Sequence, residues 1–171
     1  MTEKKQHSQI FNSWLQQHQA VLFKVVRAYA FTPVDQDDLF QEISIQIWKS
    51  IPRFRSESSV VTWLYRISIN TALKWVRSEK KHRDNHFSLD GEASILTEKP
   101  ESRDERLDWL FAEIAKLNRI DRSLTLLLLD GFSYREMADV LGISESNIGV
   151  KIHRIKNHLI RQSENGTSHG I

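Results

Sequence analysis

At 171 residues the chain is one ordinary domain or two small ones, since folded units mostly run about 100–150 residues. Its 24 Lys and Arg against 22 Asp and Glu leave a formal charge of +2, so bulk composition does not announce a nucleic-acid binder. The absence of cysteine excludes disulfides, thiolate metal sites and a cysteine nucleophile. No purely apolar run exceeds the length of Leu126 to Leu129, far short of the roughly 20 residues of a membrane span. The start MTEKKQHSQ has no signal-peptide core, so the expectation is a soluble, unprocessed, cytoplasmic chain with no membrane insertion of its own. All six glycines follow residue 90, which leaves the first half without a glycine-rich phosphate loop.

In chain order, residues 8–83 are rich in helix formers and punctuated only at Thr32-Pro33, where Asp35 is the expected cap, and at Ile51-Pro52. Helices of about 10–20 residues are expected between those points. Residues 84–108 hold eight acids against three bases, with Gly91, Pro100 and no sustained apolar period before Leu107. That composition predicts a flexible acidic linker over 84–106. Helical periodicity returns over 107–161, broken at Asp130-Gly131 and at residues 141–144, and a polar tail over 162–171 is expected to be disordered. Strand-like alternation is short everywhere, so the predicted fold class is all-α: two small helical domains on a tether.

The stretch DGFSYREMADVLGISESNIGVKIHRIKNHL carries the sharpest local pattern. Ser133 with Glu136 reads as a capping box, Gly142 as a turn glycine, and Ser144 as a second N-cap. Small Ala138 falls where two crossing helices would touch, which completes a helix-turn-helix pattern. At 100° per residue, Ile148, Ile152, Ile155 and Leu159 fall in a stripe about 60° wide that must pack inward. The opposite face carries Ser146, Val150, His153, Arg154 and Asn157, flanked by Lys151 and Lys156. Residues 149–161 hold four basic side chains and no acid, a local balance of +4 matched to a duplex that carries about one negative charge per 1.7 Å. A solvated cationic face would look the same charge for charge; the cap, turn and anchors together point to DNA.

In the first half, Asp35, Asp37, Asp38 and Glu42 crowd one segment whose inward stripe is expected to be Phe40, Ile43 and Ile47. Asp38, Glu42, Ile45 and Gln46 then face outward, with Gln41 and Trp48 at one edge. Such a helix could dock on a basic partner helix, although spacing alone favours an ordinary acidic helix start. After a loop over residues 53–59 comes a long helix. Arg66, Asn70, Lys74, Arg77 and Lys81 project within about 80° of one another with Trp63 among them, while Val61, Tyr65, Ile69, Ala72 and Val76 share an apolar face. Residues 66–83 carry a balance of +5. A basic stripe with an aromatic and an amide suits melted nucleic acid, because charge follows the backbone while rings and amides hold unstacked bases. As isolated residues, Trp48, Trp63 and Trp75 fit packing roles as well.

Together the two halves resemble the bacterial sigma factors of the sigma-70 family, specifically the small extracytoplasmic-function (ECF) group. The residues that carry the resemblance are Asp38 to Glu42, Pro52 to Arg55, Glu57 to Ser59, Thr62 to Ile67 and Asn70 to Ala72, then Gly131 to Tyr134, Ala138, Leu141 to Ser144 and His153-Arg154. The likeness spans about residues 10–83 and 107–160. It implies a region 2 helical bundle joined to a region 4 helix-turn-helix, no enzymatic activity and no cofactor. It also implies that Asp38, Gln41, Glu42 and Ile45 grip the clamp coiled coil of the RNA polymerase β′ subunit, with the β flap as a second polymerase contact. Arg53, Arg55, Ser56, Glu57, Ser58, Ser59, Trp63, Arg66, Asn70, Lys74 and Arg77 would melt the minus-10 element and capture a flipped base. Ser144, Ser146, Asn147, Val150, Lys151, His153 and Arg154 would read the minus-35 element. Promoter DNA, core polymerase and an anti-sigma factor, often membrane-bound in such proteins, are the implied partners.

The chain departs from the family pattern at Leu117-Asn118, where proline usually follows the leucine, and at Gly149, where basic residues are common, with the neighbouring Val150 apolar. Gly149 costs a helix about 1 kcal/mol relative to Ala, and Val150 is suited to a thymine methyl. Two other readings compete. A helix-turn-helix regulator of duplex DNA leaves the Asp38 to Glu42 surface unexplained, and a metal-dependent nucleic-acid enzyme would need ligands that His82 and His86, in a charged segment, do not suit. The linker acids, among them Glu98, Glu101, Asp104 and Glu105, either screen the basic faces from stray DNA or serve as a plain tether.

Overall fold

The computed structural model describes residues 2–85 and 104–167. The chain divides into two compact units, Met1–Arg103 and Asp104–Ile171. Among the described residues every regular element is helical.

The first unit contains α1 (Thr2–Tyr29), α2 (Pro33–Ser50), a 3₁₀ turn (Ile51–Arg53) and α3 (Val60–Asn85). The first helix starts earlier than the expected residue 8 and is longer than expected, with a break at His18 (φ −123°, ψ 20°) that divides it into two straighter pieces. Pro33 stops α1 and opens α2, as the fixed proline φ favours at a first helical turn. The cap, however, is Thr32, whose hydroxyl accepts from the Asp35 backbone N–H at 3.1 Å; Asp35 is the donor's residue and not the cap. Ser59 does the same for α3, accepting from Thr62 N at 3.1 Å.

The core of this unit is built by Leu22, Val25 and Tyr29 of α1, Leu39, Ile43 and Ile47 of α2, and Leu64, Tyr65, Ile69 and Ala72 of α3, all but sealed from solvent. The expected α2 stripe is thereby corrected: Leu39, not Phe40, joins Ile43 and Ile47. Because α2 packs against both α1 and α3, its buried arc centres one residue earlier. Phe40 is left at the margin, stacked on Phe23 of α1 with ring centroids 5.4 Å apart. The α3 apolar face holds Tyr65, Ile69 and Ala72 as expected, with Val61 and Val76 half-buried at its ends.

The second unit contains α4 (Glu105–Lys116), α5 (Arg119–Leu129), α6 (Tyr134–Leu141) and α7 (Glu145–Thr167). Local chemistry ends each helix. Asn118, the departure from the family's proline, is the N-cap of α5 and accepts from Asp121 N at 3.0 Å. Arg122 then reaches back and donates to the Ala115 and Leu117 carbonyls at 2.8 and 3.0 Å, closing the end of α4. Gly142 takes φ +70° and returns its N–H to Ala138 O at 2.8 Å, the left-handed stop that lets α7 cross α6 after a three-residue turn. The Ser133 and Glu136 box is closed in both directions. Donation from the Ser133 N–H, then the Ser133 hydroxyl, holds the Glu136 carboxyl below the ordinary glutamate value. This cap is therefore intact at neutral pH and is lost only as pH falls through that lowered value.

Ile148, Ile152 and Ile155 are buried as expected and Leu159 is half-buried, facing Leu124, Leu126, Leu127, Met137 and Val140 of the neighbouring core. The tail is corrected: α7 continues to Thr167, past residue 161, because nothing between Leu159 and Gln162 stops it and Gln162 is half-buried. At the other end α3 runs through Asn85, and α4 is capped by Asp104, which accepts from Arg106 N at 3.0 Å. The expected 84–106 linker is shortened from both sides. Its remainder, with Glu98, Glu101 and His86, lies outside the described residues.

Candidate nucleic-acid interface

In the first unit, α2, the 3₁₀ turn and α3 enclose an open groove of about 600 Å³. One wall comes from α2 and the turn, with Glu42, Gln46, Lys49, Ser50 and Arg53; the other from α3, with Trp63, Ile67, Asn70, Thr71, Lys74, Trp75 and Ser78. Both walls step by three or four residues, so each is one helical face. Cross-links fix the width. Trp63 Nε1 donates to Ser50 Oγ at 3.2 Å, and Ser50 Oγ donates in turn to the Ile47 carbonyl at 2.8 Å. Trp75 Nε1 donates to Asp38 Oδ2 at 2.8 Å, and along the α2 wall itself Gln46 Nε2 donates to Glu42 Oε1 at 2.9 Å.

The expected minus-10 residues therefore separate into groups. Arg53, Trp63, Asn70 and Lys74 come together on the groove, and Asn70 and Lys74 are exposed there. Arg66, half-buried, and Arg77, exposed, do not line it. Ser59 serves as the α3 cap, and Ser58 donates to its carbonyl at 3.3 Å. Lys81 lies where side chains are not described. Lys49, Gln46, Thr71, Trp75 and Ser78 were missed from sequence. For the α3 members the signal was present, since 63, 67, 71 and 75 continue a single i, i+4 row.

Loop residues Arg55, Ser56 and Glu57 are exposed, and Ser56 holds φ +57°, a left-handed conformation unusual for a residue with a Cβ. The loop is tied to the bundle by aromatics: Phe54 lies edge-on to Trp14 with centroids 5.1 Å apart, and against Trp63 at 5.5 Å. Ser56→Val is expected to lower the melting free energy of this unit by about 1 kcal/mol, because a β-branched side chain tolerates that backbone poorly, while Ser56→Gly spares it. Thermal denaturation of the two variants checks this; equal stability would show that the loop relaxes out of the left-handed region at no cost.

The acidic set also divides. Gln41 and Ile45 are exposed, and Asp38 is exposed while bonded to α3. Glu42 is half-buried on the groove wall, so it belongs as much to the basic groove as to the outer face. Trp48, at the edge of that face, is covered in part by α1: His7 stacks on it at 4.1 Å and donates from Nε2 to its carbonyl at 2.8 Å, with Phe11 edge-on at 5.2 Å.

In the second unit, Ser146, Asn147, Val150, His153, Arg154 and Asn157 are exposed along one side of α7. Ser144 is the N-cap, accepting from Asn147 N at 3.3 Å, and His153 and Asn157 are hydrogen-bonded at 3.1 Å. Lys151, placed by helical projection at the flank of that side, is half-buried and pairs with Asp121 of α5 at 3.3 Å.

Residues 14–82 match the Sigma-70 region 2 family model and residues 107–159 the Sigma-70, region 4 model. Over 126 residues the chain is 32% identical to the RNA polymerase sigma factor YlaC of Bacillus subtilis, covering 70% of this chain and 72% of that protein. Over 166 residues it is 25% identical to the ECF RNA polymerase sigma-E factor of Escherichia coli K12, covering 90% and 86%. Among solved structures, the sigma factor RpoE of Bartonella quintana, in complex with the anti-sigma factor NepR, superposes with a TM-score of 0.70 at 21% identity, covering 90% of this chain and 96% of that one. CnrH in complex with the cytosolic domain of CnrY gives 0.65 at 20% identity, covering 92% and 90%. At those identities the structural likeness speaks for the fold. The family models divide where the chain itself divides, one in each unit, and the sequence relatives are sigma factors: the chain belongs to the sigma-70 family, in its extracytoplasmic-function group, as an alternative sigma factor that directs RNA polymerase to promoters.

Proposed function

We propose that the α2–α3 groove captures the melted non-template strand of the minus-10 element while the exposed side of α7 reads the minus-35 element. The observation that supports this best is the convergence of Arg53, Trp63, Asn70 and Lys74 on one open groove. Charge from Arg53, Lys49 and Lys74 would follow the phosphates, Trp63 would offer a ring to an unstacked base, and the Asn70 amide can donate and accept at a base edge. Unstacking one base costs a few kcal/mol, and stacking with hydrogen bonding in the groove offsets it. No bond is made or broken in such a mechanism, and the chain acts as a non-catalytic factor.

The outer face of α2, with Asp38, Gln41 and Ile45, is the proposed contact with the β′ clamp coiled coil, and the second unit is the proposed partner of the β flap. An apolar centre in an acidic surround suits a basic partner helix. An anti-sigma partner is proposed as well: the Bartonella relative was solved with NepR bound. Acting at promoters, the chain would work in the cytoplasm; among the described residues no helix is long and apolar enough to cross a membrane. The reading as a duplex-DNA regulator without polymerase is not favoured, because a region 2 match over residues 14–82 accompanies the helix-turn-helix.

Asn70→Ala tests the groove. It should weaken holoenzyme binding to a premelted promoter fork about three- to tenfold, the value of one or two hydrogen bonds, and leave assembly with core polymerase unchanged. Parallel gel-shift and core-binding measurements that fell by the same factor would assign Asn70 to folding or docking instead.

A further inference from the structure

Three consecutive positions of α7 set the chemistry of its exposed side. Gly149 has no side chain, and a Cβ built there would lie 3.6 Å from Tyr134 Cε2 and 3.9 Å from Cδ2, in ordinary contact. The phenol ring of Tyr134, the first residue of α6, therefore lies directly beside position 149. Val150 follows, 52% exposed, and Tyr134 is itself 40% exposed. Lys151 completes the run but is held by Asp121, which Asn118 Nδ2 in turn grips at 2.7 Å. None of the three offers a free cation, and the groups left facing solvent beside them are the Tyr134 phenol and the Val150 isopropyl group.

We propose that Tyr134 and Val150 form an apolar reading patch, opened by the missing side chain at Gly149, and that this patch selects thymine methyl groups in the minus-35 element. The proposal rests on the reading proposed above, that the exposed side of α7 meets the minus-35 element, here taken to be through its major groove. A lysine or arginine at these positions would seek the O6 and N7 acceptors of guanine; apolar groups gain nothing from those, and the C5-methyl of thymine is the apolar feature a major groove displays. Exposed Ser146 and Arg154, on the same side of α7, would supply the phosphate contacts that fix its register but carry no sequence information.

The test uses the full chain assembled with core polymerase, on promoter DNA selected from a pool randomised across the minus-35 element. Each selected thymine is then replaced by deoxyuridine, which deletes only the methyl group. Replacement at one or two positions should weaken binding about fourfold each, as loss of one buried methyl predicts. Val150→Ala and Tyr134→Ala should abolish that penalty, and Tyr134→Phe, which keeps the ring, should retain it. Gly149→Lys, which adds a cation beside the ring, should raise affinity for all sequences and erase the penalty. The patch is overturned if deoxyuridine is tolerated at every position while Arg154→Ala still weakens binding to the element: α7 then reads by charge. If Arg154→Ala, Ser146→Ala and the deoxyuridine series all leave binding unchanged, α7 does not enter this groove, and the patch falls with that placement. Matching melting curves for Tyr134→Phe and Tyr134→Ala keep a folding defect from passing as lost recognition.

Discussion

Ile152→Asp should unfold the second unit and leave the first one standing. Ile152 is fully buried on α7 beneath α5 and α6. A unit of roughly 60 residues has about 3–9 kcal/mol of stability to lose. Removing the isoleucine forfeits about 2–3 kcal/mol of burial, and an unpaired carboxylate in the same space costs several more. Hydrogen exchange on the full chain should show protection lost over α4 to α7 and kept over α1 to α3. Transcription that depends on the minus-35 element should vanish, while docking to core polymerase through the first unit persists. Val150→Asp, two residues away on the exposed side, should leave both units folded and strike only DNA binding. Retained protection in α5 and α7 of the Ile152→Asp protein would show that the second unit can repack around the charge.

That contrast between neighbours on α7 was visible in the sequence, because it depends on helical period alone. The same holds for the Ser133 and Glu136 box, the Gly142 stop and the Ser144 cap, each a device whose partners lie within four residues. Misreadings gather where partners are distant or where two candidates compete. Projection put Lys151 at the flank of the exposed side, and nothing local showed that Asp121, thirty residues earlier, would pair with it. Thr32 and Asp35 are both acceptable caps in composition; Thr32 wins because it precedes Pro33, whose ring fixes the first helical φ and leaves Asp35 inside the turn.

The groove illustrates the harder limit. Helical projection separates an acidic docking segment and a basic stripe as two surfaces, since it treats each helix by itself. Packing of α2 on α3 then puts Glu42 on the same groove as Lys74 and Trp63 and bonds Asp38 to Trp75 across 37 residues. The residues were legible; which face of α2 opposes which face of α3 was not, because that is decided by the shared burial of Leu39, Ile43, Ile47, Leu64, Tyr65 and Ile69.

Trp63→Ala is expected to produce the largest loss at that groove. Trp63 is half-buried, donates to Ser50 and leans on Phe54, so its removal should cost the first unit about 2 kcal/mol, roughly half the cost for a sealed aromatic. The effect on a premelted fork should be greater than that instability explains. A base stacked on an aromatic side chain is worth about 1–3 kcal/mol, which is a loss of roughly five- to 150-fold in affinity. Temperature separates the two contributions: well below the variant's melting point the folded fraction is complete, so a purely structural role predicts recovered binding and a stacking role predicts none. Trp63→Phe keeps a ring against Phe54 but gives up the bond to Ser50, and should hold most of the fork affinity. An abasic nucleotide at the captured position completes the cycle. It should weaken binding by the wild-type chain and leave Trp63→Ala indifferent, because the ring and the base are then two halves of one interaction. Additive losses would place the captured base elsewhere on the groove and reduce Trp63 to the post that holds the loop against the bundle.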